Sequence, residues 1–413
     1  MRSLRHRGQT LLVGEIAATI SLIRQFISEP DTFKTIWAED GWMPMCALSN
    51  GHFSCLTEPV NGYWPIVHRL VAEPLSMIPL SLWPFIFPLL GAASIGVLCA
   101  VIFNYVTRQT SKFFGLVCGL GVVLTPILGV EFLNVFGNVH WVLLMAAMVL
   151  IALSRRANVS SPVLLVFLFV SSLSNPVGFM IPATFLLLVI ARLKSAQTIM
   201  WPFAVSLVGW FIQVFAIMQF DGTNRVGSSQ SMTEKVESWA NAIVGVVPGV
   251  RIARESPASF LFAPSRFTPA LIVALTLGLL VYLILRSRSS EALRRFTVLG
   301  IGTQVLTAVL LLILDENPRY TFVLVALNLI WIVGLLGASV QMRMITKTVL
   351  VCLLIFAPLS GFKAGSYRTT PSSVSWQDQL RIAEERCAKR EQFVEFFFAP
   401  DRAYVTEVHC SAL

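Results

Sequence analysis

The sequence predicts an all-α, polytopic membrane protein of about eleven transmembrane helices, with a long first external loop and a small external carboxyl-terminal tail. Three observations carry that reading. Charged residues make up only 13% of the 413 positions while 55% are hydrophobic, and soluble domains carry roughly 25% charge. Apolar runs near 20 residues recur along the whole chain, each long enough for a hydrocarbon core of about 30 Å. Basic residues gather in short gaps between those runs, as membrane topology requires, so the net charge of +9 marks orientation rather than a nucleic-acid-binding face.

In chain order, spans are expected near 11–27, 82–106, 113–132, 135–153, 161–174, 177–193, 201–219, 267–286, 296–314, 319–338 and 345–361. The first follows "MRSLRHRGQT" with no small-residue cleavage site behind it, so it reads as a retained helix rather than a signal peptide. The fifth, "SPVLLVFLFVSSLS", is short and runs into Asn175-Pro176. A re-entrant or broken segment there would give nine crossings plus a re-entrant pair.

The gaps set the topology. "RSLRHR", "TRQTSK", "SRRAN", "ARLKSAQ", "RSRSSEALRR" and "QMRMITK" fall on one side and hold 15 Lys/Arg with Glu291 as their single acid. The other side carries nearly all remaining acids, among them Glu39, Asp40, Glu58, Asp221, Asp315 and Glu316. The positive-inside rule makes the amino terminus cytoplasmic and the tail external. The organisation is then a transmembrane core over 1–361, with external loops 28–80 and 220–266, and an extracytoplasmic tail over 362–413. The cytoplasmic gaps are too short for an ATPase or kinase module, and no "GxxxxGK[ST]" phosphate loop or 20–50-residue repeat is present.

Cys99, Cys118 and Cys352 lie inside apolar runs as packing residues. Cys46 and Cys55 share the first loop, and Cys387 and Cys410 share the tail. In an oxidising compartment the Cys387/Cys410 pair is expected to form a disulfide, while for Cys46/Cys55 a disulfide and a zinc site are both open. The five histidines show no metal-ligand spacing such as HExxH.

The loop 28–80 is the richest in chemistry. "TIWAEDGWMPM" sets Glu39 and Asp40 between Trp37 and Trp42. An acidic pair beside a bilayer is either a solvated loop or a working site. After it, apolar residues at helical spacing predict a helix along the interface. Pro59, Gly62 and Pro65 then interrupt regular structure before His68 and Arg69, and Trp37, Trp42, Tyr63 and Trp64 fit an interfacial aromatic belt. "NVHW" brings Asn138, His140 and Trp141 into the fourth span. "LSNPVGFMIP" shapes a cleft around Asn175, Pro176 and Pro182, and "LDENPRYTF" places Arg319 and Tyr320 at the mouth of the tenth span. The tail reads as one short helix followed by extended segments.

The order helix, acidic loop, interfacial helix, helix resembles the GT-C class of membrane glycosyltransferases. "WAEDGW…NGYWPIVHRL" is similar to an "aEDg…GY…p…RL" pattern of bacterial members, and "NVHW" and "RY" resemble stretches that recur there. The length, cytoplasmic start and external tail resemble the O-antigen-modifying glucosyltransferases that convert lipopolysaccharide serotype. That resemblance implies sugar transfer from a polyprenyl-phosphate donor to a cell-envelope glycan or lipid-linked acceptor at a bacterial inner membrane, with the tail periplasmic.

It also implies roles. Asp40 would be the general base, with Glu39 as second choice, against a reading in which one acid caps the interfacial helix and the other is solvated. Arg69, Arg319 and His140 would bind the donor phosphate, although Arg319 could instead pair with Asp315 or Glu316. His68, Tyr63, Trp64, Asn138, Tyr320 and Arg225 would contact substrate. Tyr320 also reads as a belt residue and Arg225 as part of a solvated loop. Some GT-C enzymes use a divalent ion (Mg or Mn) and others none, so no metal ligand is assigned. A transporter or flippase for lipid-linked sugars and a non-catalytic assembly protein are the alternatives. The first would place polar sites near the midplane and show internal repeats.

Overall fold

The computed structural model describes residues 2–28, 30–51, 53–58, 62–124, 134–154, 161–219, 290–313, 318–339, 375–398 and 404–413, with a few isolated positions. The helices are α1 (Arg2–Ser28), α2 (Ala38–Asn50), α3 (Ile66–Ser76), α4 (Trp83–Gln109), α5 (Lys112–Leu124), α6 (Val139–Leu153), α7 (Pro162–Leu173), α8 (Met180–Ile190), α9 (Ala196–Gln219), α10 (Glu291–Ile313), α11 (Pro318–Ala338) and α12 (Trp376–Ala388). One antiparallel hairpin follows, β1 (Phe393–Phe398) with β2 (Tyr404–His409). Among the described residues four helical stretches, His6–Ile27, Leu80–Gln109, Phe136–Leu153 and Ala196–Gln219, are long and apolar enough to cross a membrane. This is a membrane protein. Apart from isolated positions, the segments expected at 267–286 and 345–361 lie outside the described residues.

Small residues let the bundle close. At the α1–α4 crossing, a Cβ added to Gly96 would stand 2.6 Å from the Gly14 carbonyl oxygen, so the two backbones meet directly, as packed membrane helices favour. The bundle core lies around α6, whose Leu144, Met145, Ala147, Met148 and Leu153 are buried against α4, α8, α10 and α11.

The expected break after the fifth run is present. α7 has 12 residues and α8 has 11, about 17 Å each at 1.5 Å per residue, so neither alone spans a hydrocarbon core. Ser161 caps α7 by accepting from the Leu164 amide, with Pro162 in the first turn. At the far end the Asn175 side chain accepts from the Val177 amide at 3.0 Å, a local turn that competes with the helix.

A second apolar core sits at the end of the bundle where α6 begins. Ile36, Trp37 and Met45 of the first loop, Leu75 of α3, and Trp83 and Phe87 of α4 join Trp376, Ala383, Val394, Phe396, Phe398 and Val408 of the tail. The tail is therefore packed into the first loop. Trp376 is fully buried, stacks on Trp83 at 6.2 Å, donates its indole N–H to Leu80 O at 2.8 Å and its amide to Lys34 O at 2.7 Å. Gln379 of α12 covers the free edge of β1 by bonding both the amide and the carbonyl of Phe397, at 2.7 and 3.0 Å, which blocks that edge from further strand pairing. The short helix and extended segments expected of the tail are α12 and the hairpin.

Candidate functional site

Two disulfides frame this end of the molecule. Cys387–Cys410 ties α12 to the end of the hairpin, and Cys46–Cys55 ties α2 to the turn at Ser54–Thr57. Disulfide sulfurs are not the thiolates that zinc needs, so the second pair resolves as a covalent staple. Its neighbour Glu58 completes the described group of Cys46, Cys55 and Glu58 within 4.8 Å, which assembles no metal centre while the bridge is formed.

Asp40 lies in the first turn of α2 and is 4% exposed. Its carboxylate accepts from the Gly137 amide at 2.5 Å and the Phe136 amide at 3.2 Å. It caps the turn Phe136–Asn138 that opens α6, across 96 residues of sequence. Asp40 thus caps a distant helix as well as standing in the first turn of α2, whose N-cap residue Trp37 makes no side-chain cap bond. Gly41 beside it is required by packing: a Cβ there would fall 2.2 Å from the Phe398 ring of the tail. The Glu39 side chain, like those of Arg319 and Tyr320 in the first turn of α11 and the whole of Arg225, lies outside the described residues.

His68 approaches the same turn from the other side. Its Nε2 lies 3.0 Å from Phe136 O, and because a carbonyl can only accept, Nε2 carries the hydrogen. The His68 ring is 5.3 Å from that of His140, and His140 is 5.7 Å from Tyr63 and 5.1 Å from Trp141. His68, Asn138 and His140 are all buried. Tyr63, His68, Asn138 and His140 therefore gather around the start of α6, on the turn that Asp40 holds.

The approach to α3 is fixed by groups from the bundle. The Trp64 amide donates to Gln213 Oε1 of α9 at 3.2 Å, and the Val67 amide donates to the Ser174 hydroxyl at 3.3 Å. The sequence reading gave Gln213 and Ser174 no role. The available signal was a glutamine inside the apolar run "WFIQVF", since a polar side chain in such a run needs a partner.

Arg69 follows His68 on α3 and is 1% exposed. Its Nη2 donates to Glu58 O at 2.9 Å and its guanidinium lies 5.2 Å from the Trp42 ring centre. Nε and Nη1 have no hydrogen-bond partner among the described residues. Burial pushes the group below the usual arginine range, and the charges of Glu58 and Glu73 pull it back. Glu73 itself accepts from the Phe53 amide at 2.9 Å. A cation is held here with donor capacity to spare, one residue from the histidine pair. No protein-family model and no curated protein matches this chain.

Proposed function

We propose that the chain is an inverting membrane glycosyltransferase that moves a sugar from a polyprenyl-phosphate donor to a cell-envelope glycan or lipid-linked acceptor. In this reading it is a GT-C-type enzyme of a bacterial inner membrane with eleven crossings, or nine and a re-entrant pair. The amino terminus is cytoplasmic and the end formed by α2, α3 and the tail is periplasmic. The observation that carries the reading is Arg69. A buried guanidinium with unused N–H groups is costly unless an anion completes it, and phosphate oxygens accept such donors strongly.

The chemistry assigns each group a task. The acceptor oxygen bonds to the anomeric carbon on the face opposite the phosphate. The bond from that carbon to the phosphate oxygen breaks, and its electron pair leaves with the polyprenyl phosphate. Arg69, aided by His140 and by Arg319, neutralises the leaving group. The hydroxyl proton passes to a carboxylate. Asp40 is the proposed base and Glu39 its neighbour, because the Asp40 carboxylate is fixed on the turn that opens α6, where Tyr63, His68 and His140 gather. Tyr63, Trp64, His68, Asn138, Tyr320 and Arg225 are proposed substrate contacts. An Mg or Mn ion, if the enzyme uses one, would be held by Asp40 with Glu39 and would supply positive charge at the leaving phosphate. No step is routed through a metal.

The test incubates purified protein with polyprenyl-phosphate sugars and measures acceptor-dependent release of polyprenyl phosphate. Release is expected from the intact chain and is lost on Arg69→Ala. Donor moved across vesicles without transfer would overturn the enzyme reading in favour of a flippase.

A further inference from the structure

The opposite end of the bundle holds a cluster of cations that the proposed chemistry does not use. α10 begins there with Arg294 and Arg295, beside the turn between α8 and α9 that carries Arg192 and Lys194. Arg294 Nη1 reaches Ala191 O at 3.5 Å, and Arg294 Nε is buried with no hydrogen-bond partner among the described residues. Arg295 donates to Glu291 at 2.7 and 2.9 Å, and to Ala152 O and Ser154 O at the end of α6. Lys194 is pushed below its usual range by burial and then by the Arg295 charge, with Glu291 opposing. Glu291 opposes Arg295 and Lys194 here, while Arg192 and Arg294 add two further positive charges from the same turn and the same helix end. Arg192 and part of Arg294 remain open to solvent.

We propose that this cluster, formed by the Arg192–Lys194 turn and Arg294, binds the phosphate headgroup of an anionic phospholipid. Three features favour a lipid over a free ion. The end of α6, the residue after α8 and the first turn of α10 meet here, so the cluster lies at the ends of apolar helices. The charge surplus is of one sign, as basic pockets between membrane helices require. Arg295, held by Glu291 and two carbonyls, fixes the start of α10, and Arg294 beside it reaches Ala191 O and so joins the Arg192–Lys194 turn to that helix. The site is independent of the proposed glycosyl transfer.

The test titrates phosphatidylglycerol, phosphatidylcholine or inorganic phosphate into the full-length protein in detergent, following thermal unfolding and counting bound lipid by native mass spectrometry. Phosphatidylglycerol is expected to raise the unfolding temperature and remain bound, while phosphatidylcholine does neither. Arg294→Gln and the double change Arg192→Gln with Lys194→Gln should each weaken the apparent affinity, by about fivefold per charge removed. Arg294→Lys keeps the charge and should keep most of the response, which a purely structural cap on Ala191 would not. Equal responses to the two lipids, variants that titrate like the intact chain, or a full response to inorganic phosphate would each overturn the proposal.

Discussion

Arg69 and Arg295 are both 1% exposed and stand at opposite ends of the same bundle, yet they are treated in opposite ways. Arg295 engages all three guanidinium nitrogens: Nε and Nη2 on Glu291, Nη1 on two carbonyls that end α6. Arg69 makes one hydrogen bond to Glu58 O, lies against Trp42, and has two nitrogens without a partner among the described residues. A fully satisfied buried charge fixes structure, and removing it exposes the cost of the groups it satisfied. An incompletely satisfied one is a cost the fold carries, which is expected where a ligand completes the set.

The largest effect should therefore come from Arg69→Met. Transfer should fall by about 10²–10³-fold, the range for deleting one donor to a developing anion, while thermal stability falls far less, because Arg69 gives up one hydrogen bond to Glu58 O and the attraction of Glu58 and Glu73. A stability loss as large as the activity loss would make Arg69 a structural residue and erase the contrast. Next, Arg295→Met should destabilise by about 2–3 kcal/mol through the carbonyls of Ala152 and Ser154 that lose their donor, with Glu291, 47% exposed, returning to water. Activity per folded molecule should be unchanged. Folded fraction from thermal melts and turnover per folded molecule separate the two variants.

Asp40→Asn should act on both scales. An asparagine keeps one carbonyl oxygen for the Gly137 or Phe136 amide but turns an NH₂ toward the other, at a cost of about 1–2 kcal/mol. If Asp40 is also the proton acceptor, turnover falls well beyond the folded fraction. If it only caps α6, turnover tracks the folded fraction, and Glu39 becomes the next candidate.

Much of the bundle was legible in the sequence because membrane helices announce themselves by local composition. The expected spans at 82–106, 201–219, 296–314 and 319–338 overlap α4, α9, α10 and α11 closely, and Asn175-Pro176 marked the break between α7 and α8. The helix after Trp37 followed from periodicity, and the tail's disulfide from two cysteines set outside the apolar runs. What was not legible are the long-range pairings. Nothing local to Asp40 says that its oxygens will meet amides 96 residues on. Nothing local to Trp376 says that it will stack on Trp83 and make the tail part of the first loop's core. Arg69 was picked out for its charge beside a membrane. The features that set it apart, the Trp42 face and the unused nitrogens, depend on the turn of chain that the Cys46–Cys55 bridge holds.

The smallest change tests whether that distant assembly matters to the site. In "AEDGW" the glycine is conspicuous beside two acids, and flexibility at a catalytic loop would be the easy explanation. The structure gives a different one: Gly41 lies inside α2, and an added Cβ would sit 2.2 and 2.4 Å from two atoms of the Phe398 ring and 2.8 Å from Ile36. Gly41→Ala gains about 1 kcal/mol of helix propensity and loses more to overpacking, which runs about 1–3 kcal/mol. The net loss should be near 1 kcal/mol, because a ring edge at the end of β1 can tilt away. Limited proteolysis should then cut the tail faster, with Cys387–Cys410 intact because both cysteines move with it. Activity should fall in step with the exposed tail, while the lipid response of the Arg294 end stays as in the intact chain. Loss of activity with an unchanged proteolysis pattern would mean that Gly41 serves the substrate directly, and that the two ends differ by more than how their arginines are satisfied.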